Sequence, residues 1–315
     1  MNESTDDTTA CTVSLHADPS VLPAERVLNH YVTSPVAVLG VFGNLVCLVV
    51  WSAESHFNPT TLFLKVLAVS DTFLLVEFLL RHCGILVTVP LVFHSFYVYS
   101  RLLTVHTTLA LIIIRWIAVF RPLRMKILLS KRRAITGCVL MIFLCFLAGL
   151  PYVITAVYFQ HLRLRTYYII HGTCLALPVM VLVCLNVSLV RKLIAHRRQI
   201  AAHTTSWAAS SSRFYRLLLA IVCLSVSSTI AYPVSLACMV EGQPTIESDC
   251  GQFCTGLMFA VADLFEVVNS AINIVFYLLF ISKFRRLLRQ TICCCPGVLI
   301  WPIWSAGPQK KQLSN

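Results

Sequence analysis

Charged side chains are scarce in this 315-residue chain: Asp, Glu, Lys and Arg together make up 12% of it, about half the usual quarter. That scarcity excludes a soluble domain of this length. Acids are scarcer than bases, 13 against 25, and no ladder of carboxylates marks an ion pathway. The motifs of common hydrolytic and nucleotide-using sites are missing: no H-E-x-x-H, no G-x-S-x-G and no phosphate loop. His94, His106 and His171 stand singly, so no metal-ligating or catalytic set is expected, and the chain is read as a non-enzyme with no cofactor. The two halves carry no repeat of the transporter kind. Met1–Pro23 is polar and acidic, without the basic start and apolar core of a signal peptide, so the first span is expected to direct insertion itself.

What the chain has is apolar length. Hydrophobic residues make up 58% of it, and the mean hydropathy is +0.80. A membrane-crossing helix needs about 20 apolar residues. Seven such stretches are expected, at about 33–52, 60–87, 92–120, 134–159, 168–194, 214–240 and 253–282. The strict alternation of a membrane β-barrel is missing, so the expected fold is an all-α membrane protein, a seven-helix transmembrane bundle. It divides into a tail over 1–32, the bundle over 33–282 and a cytoplasmic segment over 283–315. Eighteen of the 25 basic residues lie between spans three and four, between spans five and six or just inside their facing ends (Arg191, Lys192 and Arg216), or after span seven, and no acid accompanies them. Basic residues mark the cytoplasmic side. The N-terminus is therefore expected outside and the C-terminus inside, and the net charge of +12 is a topology signal that does not point to nucleic acid. Asn2-Glu3-Ser4 on the outer tail is a glycosylation sequon. Residues 282–295, SKFRRLLRQTICCC, predict a short amphipathic helix with Phe284, Leu287 and Leu288 toward lipid and arginines toward headgroups. Cys293, Cys294 and Cys295 are then palmitoylation candidates. Most other cysteines, such as Cys47, Cys138, Cys145, Cys184 and Cys223, sit in apolar segments and read as small hydrophobes.

Polar groups within the spans fall into two sets. Asn44, Asp71, Thr104, Asn269, Asn273 and Tyr277 lie deep, the last three at i, i+4, i+8 along one helix face. They read either as interhelical glue or as one interior site. Nearer the outside are Glu77, Arg81, Arg101, Asp263 and Glu266. Glu77 and Arg81 can pair within one helix, and Arg101 can reach Glu77 or Glu266. This set reads either as neutralised structural pairs or as a charged cavity open to the outside. Pro151, Pro178 and Pro233 sit at depth, where proline kinks a helix.

Several short motifs stand in order on these spans: Gly43-Asn44; Leu67-Ala68 with Asp71; Ile114-Arg115-Trp116 followed by Ala118-Val119 and Pro122-Leu123; the single prolines Pro178 and Pro233; and Asn269-Ser270 with Asn273, Ile274 and Tyr277. Over about residues 30–295 the set resembles the rhodopsin-like G-protein-coupled receptors. It departs from that pattern where Ile114 replaces the acid before the arginine, Trp116 the tyrosine after it, Ala231 the sixth-span tryptophan and Ile274 the seventh-span proline. The third-span cysteine position is Pro90, which puts the family's disulfide in doubt. No lysine lies between Gln252 and Ser282, which discounts an opsin, and the aspartate position of amine receptors is Tyr97. The AVFRPLRMK run resembles invertebrate FMRFamide-type neuropeptide receptors.

The resemblance implies a plasma-membrane receptor with two partners, an extracellular peptide or small-molecule agonist and a cytoplasmic heterotrimeric G protein. It implies an agonist site near Glu77, Tyr97, Arg101, Asp263 and Glu266. It implies an allosteric sodium site at Asp71, Thr104, Asn269, Ser270 and Asn273, with Asn44 and Tyr277 nearby. Pro178 and Pro233 become kinks, and Arg115 and Leu123 become the G-protein-facing residues. Without an acid at Ile114, Arg115 is expected to be less restrained and basal signalling higher. A receptor-like protein that no longer couples and serves as a scaffold, or a transporter or channel, are the alternatives.

Overall fold

The computed structural model describes residues 24–82, 90–121, 123, 129–159, 174–201 and 249–293. All regular structure among them is helical. The expected span over 214–240 with Pro233, the sequon at Asn2, and Cys294 and Cys295 lie outside the described residues.

The first helix, α1, covers Ala24–Ser52, so it begins about nine residues before the expected start. Hydropathy hid its first turns because they carry Glu25, Arg26, Asn29 and His30. A π-helical stretch, Leu28–Thr33, lies within it. Within and just after it the Thr33 and Ser34 hydroxyls donate to the carbonyls of Leu28 and Asn29, five residues earlier, at 3.2 and 2.7 Å.

Helices α2, Pro59–His82, and α3, Pro90–Phe120, follow. Then come α4, Lys131–Tyr158, and α5, Leu177–Ala201. Pro178 is the second residue of α5, just after a π-helical turn over 174–176. The last apolar stretch forms α6, Asp249–Ala271, and α7, Asn273–Phe280, separated at Ile272. Helix α8, Ser282–Cys293, closes the described chain.

Five of these segments are long and apolar enough to cross a membrane: Ala24–Ser52, Ser95–Phe120, Lys131–Thr155, Cys174–Lys192 and Leu257–Phe280. Helix α2 is about 36 Å long at 1.5 Å per residue, carries Lys65, Asp71, Glu77 and Arg81, and is not among the five. Outward faces carry apolar groups such as Leu39, Phe42, Phe73, Phe143 and Phe146. The chain thus has the character of a membrane-embedded protein.

Helix α2 packs between α1 and α3, α6 packs on α1 and α2, and α3 also touches α4 and α5. Close approach of α1 to α6 and α7 depends on two glycines. A Cβ on Gly40 would stand 2.6 Å from the Ala271 Cβ, and one on Gly43 would stand 2.8 Å from Ile274 Cγ2.

Helix α8 corrects the expectation for its apolar face. Phe284 is fully buried and Leu287 nearly so, in one apolar cluster with Trp51, Leu64, Leu67 and Tyr277. Phe284 packs on Trp51 and Tyr277 with ring centroids 5.2 and 5.5 Å away. Amphipathic spacing predicts a buried face without saying what covers it; here the end of α1 and α7 covers it. An ion pair between Lys283 and Glu54, on the short connection after α1, fixes the start of α8. Glu54 also accepts from the Thr61 hydroxyl at 2.6 Å. Burial raises the Glu54 carboxyl, but Lys283, Thr61 and the Lys65 charge outweigh it and hold the group below the usual carboxylate range.

Candidate functional site

The deep polar residues converge. Asp71 on α2 is fully buried. Its Oδ1 accepts from the Thr104 hydroxyl of α3 at 2.8 Å, and its Oδ2 accepts from Asn273 Nδ2 of α7 at 2.6 Å. Both partners are neutral. Thr104 Oγ1 also lies 2.9 Å from Ser70 Oγ, a contact that sequence reasoning missed because a serine in a membrane helix is common. Asn44 Nδ2 donates 3.0 Å to the carbonyl of Ser270, one residue before the end of α6. The Asn44 bond therefore ties α1 to the place where the helix is interrupted.

Beside this cluster lies a cavity of about 60 Å³. It is lined by Asp71, Thr104, Asn269 and Asn273 at one end and by Arg115 and Tyr277 at the other. At roughly 15 Å³ per water it has room for a few waters or a partly hydrated ion. Asn269, Asn273 and Tyr277 share the cavity although the helix is broken between the first two. Aliphatic walls come from Leu64, Leu67 and Leu111.

The side chains at the Arg115 end are packed. Ile114 is not an idle substitute for an acid: it is 4% exposed and packs in the apolar cluster with Leu67 and Leu111. Arg115 is itself engaged by its surroundings. Trp116, at the tyrosine position, donates Nε1–H to Ser188 Oγ of α5 at 2.9 Å and stacks on Phe120 with centroids 4.5 Å apart. Leu123 is 90% exposed.

The second polar set also comes together, at the opposite ends of α2 and α3. Glu266 is the hub. Its Oε1 lies 3.1 Å from Arg101 Nε, and its Oε2 accepts from the Tyr97 hydroxyl at 2.6 Å. Arg101 Nη1 donates to the same hydroxyl at 2.7 Å. Of the two partners the sequence allowed for Arg101, the structure selects Glu266. Arg81 lies 3.3 Å from Asp263 and 3.9 Å from Glu77, and its guanidinium stands 5.7 Å from the ring centroids of both Phe78 and Tyr97. Glu77, Tyr97, Arg101, Asp263 and Glu266 are all at least nine-tenths buried, whereas the Arg81 side chain is 31% exposed. The five charged groups are thus mostly paired with one another, and Arg81 reaches a surface pocket.

That pocket, of about 520 Å³, lies between α1 and the end of α2 and is lined by Glu25, Arg26, Asn29, Tyr31, Arg81 and His82 among others. Asn29 is 5% exposed, and its Oδ1 has no hydrogen-bond partner among the described residues. It carried no signal in the sequence, being one polar residue in a stretch read as tail. Cys293 ends α8. Cys47, Cys138, Cys145 and Cys184 are free thiols. Among the described residues no group of three metal-ligating side chains occurs. No known family profile and no curated protein matches the chain.

Proposed function

We propose that this chain is a seven-helix receptor of the rhodopsin-like type, with its N-terminus outside the plasma membrane and its basic loops in the cytoplasm. It binds an extracellular ligand, most naturally a peptide, and acts as an exchange factor on a heterotrimeric G protein. The observation that carries this reading is the polar column through an otherwise apolar helical core. Asn44, Asp71, Thr104 and Asn273 come from four separate helices, and the cavity beside them reaches Arg115 and Tyr277. Burying so many polar groups in an apolar interior is costly unless they are used, and a small solvated cavity among them makes the packing adjustable.

In this reading ligand binding at the Glu77 end favours one of two packings of the bundle. The interruption at Ile272 and the cavity are where the packings differ. Arg115, Trp116 and exposed Leu123 form part of the cytoplasmic surface that meets the G protein. A sodium ion fits the cavity chemically, since Asp71, Thr104, Asn269 and Asn273 offer the oxygen ligands a hard cation takes. These residues would hold the ion and offset the Asp71 charge. The decisive experiment is nucleotide exchange on a purified G protein by the full chain in lipid nanodiscs, challenged with a panel of amidated peptides.

A receptor-like protein that does not couple is the second reading. It is favoured by Ile114 and Ile274, which stand where the family carries an acid and a proline. Normal ligand binding with no exchange on any G protein would select it.

A further inference from the structure

The surroundings of Arg81 are built like a binding site for a guanidinium. Two carboxylates, Glu77 and Asp263, approach its edge at 3.9 and 3.3 Å. Two aromatic rings, Phe78 and Tyr97, flank its charge at 5.7 Å, within the range of cation–π attraction. Phe78 is 2% exposed and Tyr97 1%, so both rings are fixed walls. Beyond them Glu266 and Tyr97 hold Arg101. Among the described residues three carboxylates therefore face two guanidinium groups, an excess of one negative charge when all are ionised.

Two buried acceptors near Arg81 are left over. Glu77 Oε2 is shielded from solvent and has no hydrogen-bond partner among the described residues, and the same holds for Asn29 Oδ1. Both are acceptors. Asn29 lines the 520 Å³ pocket, and so does Arg81. His82 is fixed at the same mouth, its Nδ1 lying 2.9 Å from the Phe78 carbonyl and its ring 4.1 Å from the Phe78 ring. One acceptor thus belongs to a carboxylate that pairs with Arg81, and the other lines the pocket that Arg81 reaches.

We propose that this cage is the anchoring subsite for a cationic ligand group of guanidinium shape, and that Arg81 occupies it as an internal stand-in. On binding, the ligand's guanidinium takes the place between Glu77 and Asp263, on the faces of Phe78 and Tyr97. Arg81 swings into the pocket between α1 and α2, and Asn29 Oδ1 accepts an N–H from the incoming group. The ligand class is a peptide or small molecule with a guanidinium. The excess negative charge disfavours an anionic ligand head, and Arg101, already held by Glu266 and Tyr97, is not available to receive one without breaking that pair. The assignment rests on reading this end of the bundle as the ligand-binding end. It is tested without a G protein, so a failure to couple leaves it standing and its own failure leaves coupling open.

The probes are arginine amide and citrulline amide, which share shape and an α-amino group while only the first carries a guanidinium charge. Binding and melting temperature are measured on the full chain in lipid nanodiscs. Arg81→Ala should melt below wild type and be restored saturably by arginine amide but not by citrulline amide. Arginine amide should bind Arg81→Ala more tightly than wild type, where it must displace Arg81. Adding Glu77→Gln should weaken binding about tenfold or more, as expected for loss of a charge-assisted hydrogen bond. Should Arg81→Ala fail to fold, the comparison is wild type against Glu77→Gln, with the same tenfold loss expected. Absence of saturable binding, equal binding of the two amides, or unchanged affinity in the Glu77→Gln variants would overturn the proposal.

Discussion

Replacing Gly40 by alanine tests the close approach of α1 to α6. The new Cβ would stand 2.6 Å from the Ala271 Cβ, 2.8 Å from Leu75 Cδ1 and 3.0 Å from the Ala271 Cα. Non-bonded carbons rest about 3.5–4.0 Å apart. Leu75 can rotate away, but Ala271 has no side-chain torsion to yield, so α1 and α6 must part by about 1 Å. The Asn44–Ser270 hydrogen bond joins the same two helices about one turn along and is 3.0 Å long. A 1 Å separation takes it to about 4 Å, past the useful range. Overpacking costs about 1–3 kcal/mol, and a lost buried hydrogen bond costs about 1–3 kcal/mol more. The expected loss is therefore roughly 2–5 kcal/mol, seen as a melting temperature lowered by several degrees in nanodiscs. Gly137→Ala is the control: nothing lies within 4 Å of its would-be Cβ, and alanine is the better helix former by about 0.5–1 kcal/mol. Equal melting temperatures for the two variants would refute the close-approach argument.

Four further outcomes are expected. Phe284→Ala removes the ring between Trp51 and Tyr277, and hydrogen–deuterium exchange across α8 should accelerate sharply while the far ends of α2 and α3 stay protected; unchanged exchange would place α8 elsewhere. Glu54 has a depressed carboxyl in the folded state, so its contribution is present above the ordinary glutamate value of about 4.3 and is lost as pH falls through the folded value. Glu54→Gln should lower stability at neutral pH and flatten that acid-side slope, and a variant with the wild-type slope would contradict the role of Lys283. Ile114→Asp puts a carboxylate into an apolar cluster and should lower the melting temperature well beyond Ile114→Val, for which about 0.5–1.5 kcal/mol is expected; parity between the two would mean position 114 is open. Sodium chloride should raise the melting temperature over choline chloride in wild type and not in Asp71→Asn, and an identical sodium response in both would remove the ion from the Asp71 cavity.

Much of the deep cluster was legible in the sequence because polar groups in apolar runs are conspicuous. Asn44, Asp71, Thr104 and Asn273 stand out for that reason, and the spacing of Asn269, Asn273 and Tyr277 placed them on one face. The interruption at Ile272 was not legible, since no glycine or proline marks it; Ile274 stands where a proline would have given the signal. The burial of Phe284 was hidden for a different reason. Periodicity gives the direction of an apolar face relative to its own helix, while the partner, here Trp51 and Tyr277, is set by tertiary packing. In the charged set the ionisable residues were visible, but their pairing was not: Arg81 reaches Asp263 across 182 positions of sequence, and spacing alone offered only Glu77. Asn29 was invisible because the polar first turns of α1 resemble a tail.

The most direct test of the receptor reading is the rate of nucleotide exchange on a purified heterotrimeric G protein, measured with the full chain in lipid nanodiscs, with and without guanidinium-bearing peptides. Exchange is expected to exceed that of empty nanodiscs, to rise with an agonist peptide and to fall when Arg115 is replaced by alanine. Exchange indistinguishable from empty nanodiscs, for every G-protein class and throughout the peptide panel, would contradict it.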